Sequence, residues 1–303
     1  MSYLNRIQVP WAGSTGTGRP EQKELEKNES GKKESEKNES EKKESEKKRT
    51  ELKDPEKEKP ATDPPVLYIT DDAQIARSLR KRGEAVLIYL HEDNQDFSDF
   101  FYAVEDPDNL DPEYVDKVYR RLKGLPWDIL ETERCLIRET TPEDVDTFFQ
   151  IYSDPAITKY MDGLYPEPEQ EKQYIREYIE KVYTFYEFGV WTVVERKSGA
   201  VIGRAGFAYR EGYNDPELGF IIGVPWQRKG YAEEVCRAVL EYGWNVLGFE
   251  QVQVLVEPGN EISLRLCAKL GFREKEKVEM QGKVFIRLLL SKCATNLQMT
   301  RRP

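Results

Sequence analysis

A short turn at residues 227–232, with the sequence QRKGYA, carries the residue types that bind a phosphate-bearing anion. Gly230 and Ala232 stand where a helix is predicted to begin, directly after an apolar run over residues 217–224 that predicts a buried strand. The first turn of a helix has unpaired backbone N–H groups and the positive end of the helix dipole. A small residue there lets an anion approach the backbone closely. The turn therefore predicts a site for an anionic, phosphate-bearing ligand.

Other candidate chemistry has weaker support. The four cysteines lie far apart without CxxC spacing, and His91 is the single histidine, so we expect no metal site and no local disulfide framework. The glycine-rich segment 13–18 lacks the lysine and the preceding strand of a phosphate loop, and it is assigned to a disordered tail. Asp71 and Asp72 follow a predicted strand, but they are adjacent rather than spaced as Asp-x-Asp, and a capping or structural role is expected.

Composition separates a charged N-terminal segment from the rest of the chain. The protein has 303 residues, of which 34% are charged. Residues 21–60 consist largely of Glu, Lys, Ser and Asn, and from Glu26 they run in five-residue units such as EKNES and EKKES. Such a segment buries too little apolar surface to offset the entropy cost of ordering. We predict a disordered or transiently helical spacer there, and disorder over residues 1–63 as a whole.

The folded part is acidic. Residues 21–60 carry 13 basic and 14 acidic residues, so most of the net charge of −10 belongs to the remaining sequence. An acidic domain binds nucleic acid poorly, whereas it suits cationic substrates such as amines. The sequence also has no apolar run of about 18 residues and no signal-peptide pattern. We therefore expect a cytoplasmic protein that binds neither nucleic acid nor membrane.

Residues 64–130 predict a small α/β unit. A strand at 66–69, a helix ending at Gly83 and a strand at 85–90 imply a parallel pair with a right-handed crossover. A second helix opens at Pro112 and ends near Gly124. The unit is interpreted as half of a doubly wound fold with a docking or regulatory role.

Residues 131–291 predict a second domain, followed by a tail over 292–303. Apolar periodicity and turn residues give the element order β-α-α-β-β-β-α-β-α-β-β. Thr141 and Asn260 are predicted helix caps, and the last two strands form a hairpin around Gln281 and Gly282. The fold class indicated by this order is α/β (α+β).

Over residues 132–291 the sequence resembles the GNAT superfamily of acetyl-CoA-dependent N-acyltransferases. The family's Gln/Arg-x-x-Gly-x-Gly/Ala turn is present as QRKGYA, and three further signals occur in order: ELGF at 217–220, Asn260-x-x-Ser263 and KLGF at 269–272. The combination is most similar to the RimJ/RimL branch, which acetylates protein N-termini and small amines. The resemblance implies a splayed, mixed central sheet that binds acetyl-CoA as cosubstrate.

The resemblance also assigns residues to the cosubstrate. It implies that the pantetheine arm binds to the strand backbone at Ile222, Gly223 and Val224, and that Asn260 orients its acetyl end. The pyrophosphate would bind backbone N–H groups in the turn, whose residues are Gln227, Arg228, Lys229, Gly230, Tyr231 and Ala232. Two alternatives remain for Arg228 and Lys229: their charge binds the 3′-phosphate, or they belong to a solvated basic turn without a ligand. For Asn260 the alternative is a role as a helix cap alone.

The implied reaction is direct attack of an amine on the thioester. Glu217 is favoured as the base, with Asp215 and Glu257 as weaker candidates, and Val224 N–H as the donor to the oxyanion. Many family members carry a Tyr seven residues after the Asn, but here that position is Cys267. Ser263, Cys267 or water could then supply the proton to the leaving thiolate. Cys267 is equally compatible with a buried apolar role.

The acceptor and the overall role stay open at this stage. The leading interpretation is an N-acetyltransferase for a primary amine, either a protein N-terminus or a small molecule. The alternative is a non-catalytic acyl-CoA sensor in which the α/β unit relays occupancy. A third interpretation, a scaffold, assigns ligand binding to the N-terminal tail. Monomer and homodimer both remain open. An acidic, aromatic acceptor mouth is expected from Tyr160, Met161, Tyr165, Tyr209 and Tyr213.

Overall fold

The computed structural model describes residues 3–9, 65–91, 95–161 and 163–292, which build two β-sheets and the helices packed on them. The charged repeat at 21–60, the glycine-rich segment 13–18 and residues 293–303 lie outside this part of the chain. Within the described residues, no helix is both long and apolar enough to cross a membrane.

The smaller sheet has the strand order β1-β2-β3-β4. Strands β2 and β3 pair in parallel, as predicted, and α1 connects them. Asp72 caps α1 by accepting hydrogen bonds from the backbone of Gln74 and Ile75, which bears out the structural interpretation of this acid. The elements are β1 (Leu4–Gln8), β2 (Val66–Thr70), α1 (Ala73–Lys81), β3 (Ala85–Tyr89), β4 (Ala103–Val104) and α2 (Pro112–Leu122).

Strand β1 corrects the prediction of disorder for the start of the chain. Leu4–Gln8 pairs antiparallel with β2 over its whole length. Asp71 accepts a hydrogen bond from Tyr3 N at 2.6 Å, and Thr70 Oγ1 donates one to Tyr3 O at 2.7 Å. The prediction for 1–63 is therefore wrong at residues 3–9.

The larger sheet has the order β11-β12-β10-β9-β8-β7-β6-β5. Its strands are β5 (Asp128–Glu131), β6 (Cys135–Arg138), β7 (Val190–Glu195), β8 (Val201–Ala208), β9 (Glu217–Ile222), β10 (Gln251–Val256), β11 (Arg273–Met280) and β12 (Lys283–Ser291). The predicted mixed sheet is confirmed, because β9 and β10 are parallel and the other neighbours are antiparallel. Strand β5 was not predicted, and it places residues 128–130, assigned above to the small unit, in the larger sheet.

Helices cover both faces of this sheet. Ile222 packs in the large core with Val235 of α7, whereas its neighbour Ile221 packs with Ile151 of α3 on the opposite face. The helices are α3 (Val145–Tyr152), α4 (Pro155–Thr158), α5 (Pro168–Tyr178), α6 (Thr184–Tyr186), α7 (Tyr231–Asn245) and α8 (Glu261–Leu270). A five-residue π turn, Ile179–Tyr183, joins α5 and α6.

Helix α2 joins the two units through buried charge. The Arg121 guanidinium donates to Glu139 Oε1 at 2.8 Å, and the two side chains are only 2% and 3% exposed. Lys117 pairs with Glu187 at 2.7 Å and lies 4.7 Å from the ring centroid of Trp127. The small unit is therefore anchored to the larger sheet next to β6 and α6.

Candidate functional site

The candidate site is a gap between two parallel strands of the larger sheet. Glu217 of β9 and Gln253 of β10 are in register, and Gln253 N donates to Pro216 O at 2.9 Å. Among the described residues no further register pair joins these strands, whereas β9 stays paired with β8 and β10 with β12. The strands therefore separate toward their C-terminal ends and leave backbone edges that can accept an added extended chain.

The turn predicted to bind an anion lies at the open end of this gap. After β9, a 3₁₀ turn (Val224–Trp226) leads to Arg228 and Gly230, which have φ values of 58° and 85°. Helix α7 then starts at Tyr231, and no side chain caps its N-terminus. The backbone N–H groups of its first turn can therefore bind an anion.

Several side chains hold this turn in place. Gln227 Nε2 donates to Ile222 O at 2.9 Å, which ties the turn to the end of β9. Arg134 Nη1 donates to Lys229 O at 2.9 Å, and its guanidinium lies 4.2 Å from the ring centroid of Tyr231. Arg134 and its partner Glu234, which accepts from Arg134 Nε at 2.6 Å, were not predicted, because no local spacing marks a contact across 100 residues.

The residues predicted to bind the cofactor differ in what they can offer a ligand: some offer only a backbone group, whereas others have an exposed side chain. Ile222 and Tyr231 direct their side chains into the core, so each can offer only its backbone to a ligand. Gly223 N already donates to Ile202 O at 2.8 Å. Val224 is 40% exposed at the strand end. Arg228 and Lys229 are exposed, which is compatible both with a contact to a phosphate and with a solvated turn.

Asn260 lies on the other side of the gap, after β10. Its Oδ1 accepts a hydrogen bond from Ser263 N at 3.2 Å, which confirms that it caps α8. Tyr160 reaches across from the segment after α4 and donates to Gly259 O at 2.7 Å. Asn260 and Ser263 are thus adjacent at the N-terminus of α8, as their spacing predicted.

Glu217 stands at the closed end of the gap. Its side chain is 14% exposed and forms an ion pair with Arg210. The weaker base candidates are also paired: Asp215 with Arg287 at 2.8 Å and Glu257 with Lys283 at 3.4 Å. Of the three carboxylates, Glu217 alone belongs to a strand that borders the gap, because Asp215 precedes β9 and Glu257 follows β10.

Cys267 does not belong to the site, which corrects its candidacy as an acid. Its side chain is fully buried in the core with Val256 and Leu270. Burial raises the pKa of the Cys267 thiol to about 12. A neutral thiol with no solvent access is a poor proton donor to a ligand in the gap, so the apolar interpretation of this residue holds.

The residues expected around the acceptor are dispersed: Tyr165 lies beside Tyr174 of α5, whereas Tyr209 packs against Phe188 of the large core. Tyr165 and Tyr209 are about half exposed. Met161 packs with Ile151, Ile157 and Ile221 under α3 and α4. Tyr213 is stacked by Arg287, 4.8 Å from its ring centroid, and so supports the sheet.

Comparison with known proteins relates the larger domain to N-acetyltransferases. The family model described as "Acetyltransferase (GNAT) domain" matches residues 134–273. The uncharacterized N-acetyltransferase YoaA of Bacillus subtilis is 31% identical over 154 residues, which cover 48% of this chain and 84% of YoaA. The uncharacterized N-acetyltransferase p20 of Bacillus licheniformis is 29% identical over 48% of this chain and 83% of its own length. A GnaT-family acetyltransferase structure from Bordetella pertussis is 25% identical, with a TM-score of 0.47, over 54% of this chain and 98% of that one.

Proposed function

The chain belongs to the GNAT acetyltransferase family, and from that membership we propose direct transfer of an acetyl group from acetyl-CoA to a primary amine. One observation carries the proposal. The register between β9 and β10 is limited to Glu217 and Gln253, so the strands open toward a turn that can bind an anion. A long cosubstrate with a phosphate-rich end and a thioester end matches this arrangement.

The residues around the gap suit the two ends of acetyl-CoA. We assign the pyrophosphate to the backbone N–H groups of Arg228 through Ala232, which the left-handed Gly230 and the uncapped α7 make available. We assign the pantetheine arm to the backbone edge of β9 at Ile222 and Val224. Asn260 orients the acetyl end from the opposite side of the gap. No group of three or more His, Cys, Asp or Glu in the described residues is arranged to hold a metal.

The chemistry needs one base and one proton donor. A C–N bond forms between the amine and the acetyl carbonyl carbon, and the C–S bond of the thioester breaks. Glu217 accepts the proton that the amine loses, directly or through water. Val224 lies beyond the far end of β9, about 20 Å from Glu217 along the extended strand, so its N–H is assigned to pantetheine and not to the carbonyl oxygen. Ser263 Oγ or water supplies the proton that the departing thiolate needs.

The acceptor class is a protein N-terminus or a small-molecule amine, as in the RimJ/RimL branch. The motif Asn260-x-x-Ser263 and the acidic composition support this assignment. We further propose a cytoplasmic site of action, because Cys135, Cys236 and Cys267 are free and buried.

Thiol release from acetyl-CoA tests the proposal. The full-length protein is mixed with acetyl-CoA and a panel of amines and of peptides that begin with Ser, Ala or Thr. Acetylated products are identified by mass spectrometry. We expect amine-dependent thiol release at a rate well above the hydrolytic background. Tight binding of CoA without turnover of any acceptor would contradict the proposal and would favour the sensor alternative.

A further inference from the structure

Arg204 is a charged residue in the sheet that neither the sequence motifs nor the proposed reaction uses. It lies on β8, in register with Ile221 of β9. Its guanidinium is 4.8 Å from the ring centroid of Phe148, and the Tyr152 phenol favours its charged form. Both aromatic residues belong to α3, so Arg204 points to the sheet face that α3 covers.

Among the described residues, the charge of Arg204 has no acidic partner. No carboxylate of the described residues lies within 4.0 Å of the guanidinium, and its Nε atom is buried without a hydrogen-bond partner. The nearby carboxylate of Glu171 instead accepts from Tyr165 N at 3.0 Å. A cation removed from water costs several kcal/mol unless an anion and hydrogen bonds compensate, and one aromatic face with one phenol offsets only part of this cost.

Two glycines that face each other lie between Arg204 and Glu217 in the sheet. Gly206 and Gly219 are in register on the same sheet face, between the pairs Arg204–Ile221 and Ala208–Glu217. A side chain at Gly219 would meet nothing within 4 Å. A Cβ at Gly206 would instead meet Gly189 O of the backbone, so the open space lies over Gly219. The Cα atoms of Arg204 and Glu217 stand on the order of 13 Å apart along the strands.

We propose that the acceptor is an amine that also carries a carboxylate, such as an amino acid or a short peptide with a free C-terminus. This inference rests on the proposed function. The carboxylate pairs with Arg204, whose planar fork matches it with two parallel hydrogen bonds. The amine at the other end of the molecule lies over Gly219 and toward Glu217. Arg204 is then the residue that selects zwitterionic acceptors over simple amines.

Paired acceptors test this assignment. Glycine, β-alanine, 4-aminobutyrate and alanyl-alanine are each compared with the corresponding carboxamide, with kcat/KM corrected for the fraction of unprotonated amine. For at least one pair we expect the carboxylate form to be preferred about 10–100-fold, as for a hydrogen bond to a charged group. Calorimetric binding of the N-acetylated product and of its amide provides a readout that does not depend on turnover.

Variants of Arg204 separate recognition from folding. In Arg204→Gln we expect the preference to disappear through a higher KM for the carboxylate form, while kcat/KM for the carboxamides stays within a factor of about three. Arg204→Lys should retain part of the preference. Arg237→Gln, which alters an arginine on α7 at the opposite face, is the matched control and should keep the full preference.

The outcomes distinguish the two proposals. Equal turnover of every carboxylate and carboxamide by the wild-type protein would overturn the assignment of Arg204 and leave the acetyltransferase proposal intact. An equal loss of both acceptor forms in a folded Arg204→Gln would also overturn it. Absence of thiol release with any acceptor would overturn the proposed function itself. If Arg204→Gln does not fold, the wild-type comparison and the product-binding measurement still decide.

Discussion

Glu217 and Gln253 face each other at the point where β9 and β10 last run in register. Gln253 is fully buried, and its Nε2 donates to Asp215 O at 2.9 Å while its Oε1 accepts from Arg287 at 2.7 Å. This network fixes the closed end of the gap, so that the two strands diverge from a rigid point. The proposed base is therefore held at a defined position relative to a ligand that enters from the open end.

The left-handed Gly230 leads to the first prediction. An alanine at φ 85° is strained by about 1–2 kcal/mol and displaces the backbone N–H groups at the start of α7. In Gly230→Ala we expect acetyl-CoA to bind about tenfold more weakly, as measured by calorimetry. Gly199→Ala is the matched control, because Gly199 has φ 71°, open space around it and a place in the β7–β8 turn. Equal affinities in the two variants would contradict a role for this turn in binding.

Removal of the Glu217 carboxylate should affect turnover rather than cosubstrate binding. Without a base to accept the amine proton, Glu217→Gln should lower kcat by about 10²–10⁴-fold. Steady-state kinetics with acetyl-CoA at saturation and at limiting concentration gives both parameters, and KM for acetyl-CoA should change little. Glu257→Gln replaces a carboxylate that follows β10 and should retain most activity. Loss of activity in Glu257→Gln alone would transfer the role of base to that residue.

The buried thiol of Cys267 predicts a pH dependence of stability. Its pKa is raised to about 12 in the folded protein, whereas an unfolded cysteine titrates near about 8.5. Between these values the unfolded state has lost the proton that the folded state keeps, so the free energy of unfolding falls as pH rises. Urea titrations from pH 7 to 10 should show a smaller alkaline decrease in Cys267→Ala than in the wild type.

The same variant tests the correction to the catalytic assignment. Cys267→Ala should keep its turnover number, because the thiol lies in the core, and it should lose stability from the cavity alone. For the pH dependence of stability described above, Ser263→Ala is the control, because a hydroxyl does not titrate in this range. A large fall in kcat of a folded Cys267→Ala would restore the thiol as the proton donor.

The ion pair between Arg121 and Glu139 predicts coupling between the two folded units. Glu139→Gln removes the charge that compensates a buried guanidinium, so it should lower the free energy of unfolding by about 3–5 kcal/mol. Glu177→Gln, which alters an exposed pair with Lys181, should cost at most about 1 kcal/mol. Chemical denaturation followed by fluorescence measures both. Similar small losses in the two variants would show that α2 does not anchor the small unit.

Local signals in the sequence predict much of this fold. The Gln281-Gly282 hairpin has the two positive φ values that such a turn requires, and Asn260 caps α8 as its position indicated. The turn at residues 227–232 follows from the same kind of signal, whereas the mixed sheet was implied by the resemblance to a known family. The local features depend on residues close together in the chain, where periodicity and turn chemistry act directly.

Long-range pairing accounts for what could not be predicted. Leu4–Gln8 pairs with a strand more than fifty residues away, and Ala103–Val104 is too short to show any alternation. Arg134 stabilises the turn at residues 227–232, and Glu139 stabilises the contact between the two units. Each acts through a partner that is distant in sequence. Arg204 likewise stands out only because the structure shows that no carboxylate of the described residues approaches it.

The structure of the complete protein bound to acetyl-CoA tests the central claim most directly, because it shows whether the gap between β9 and β10 is the cosubstrate site. We predict that pyrophosphate oxygens lie about 2.7–3.2 Å from backbone nitrogens within residues 228–232, and that pantetheine lies between the two strands with its thioester directed toward Glu217. Acetyl-CoA bound elsewhere, with this gap closed by other side chains, would contradict the account.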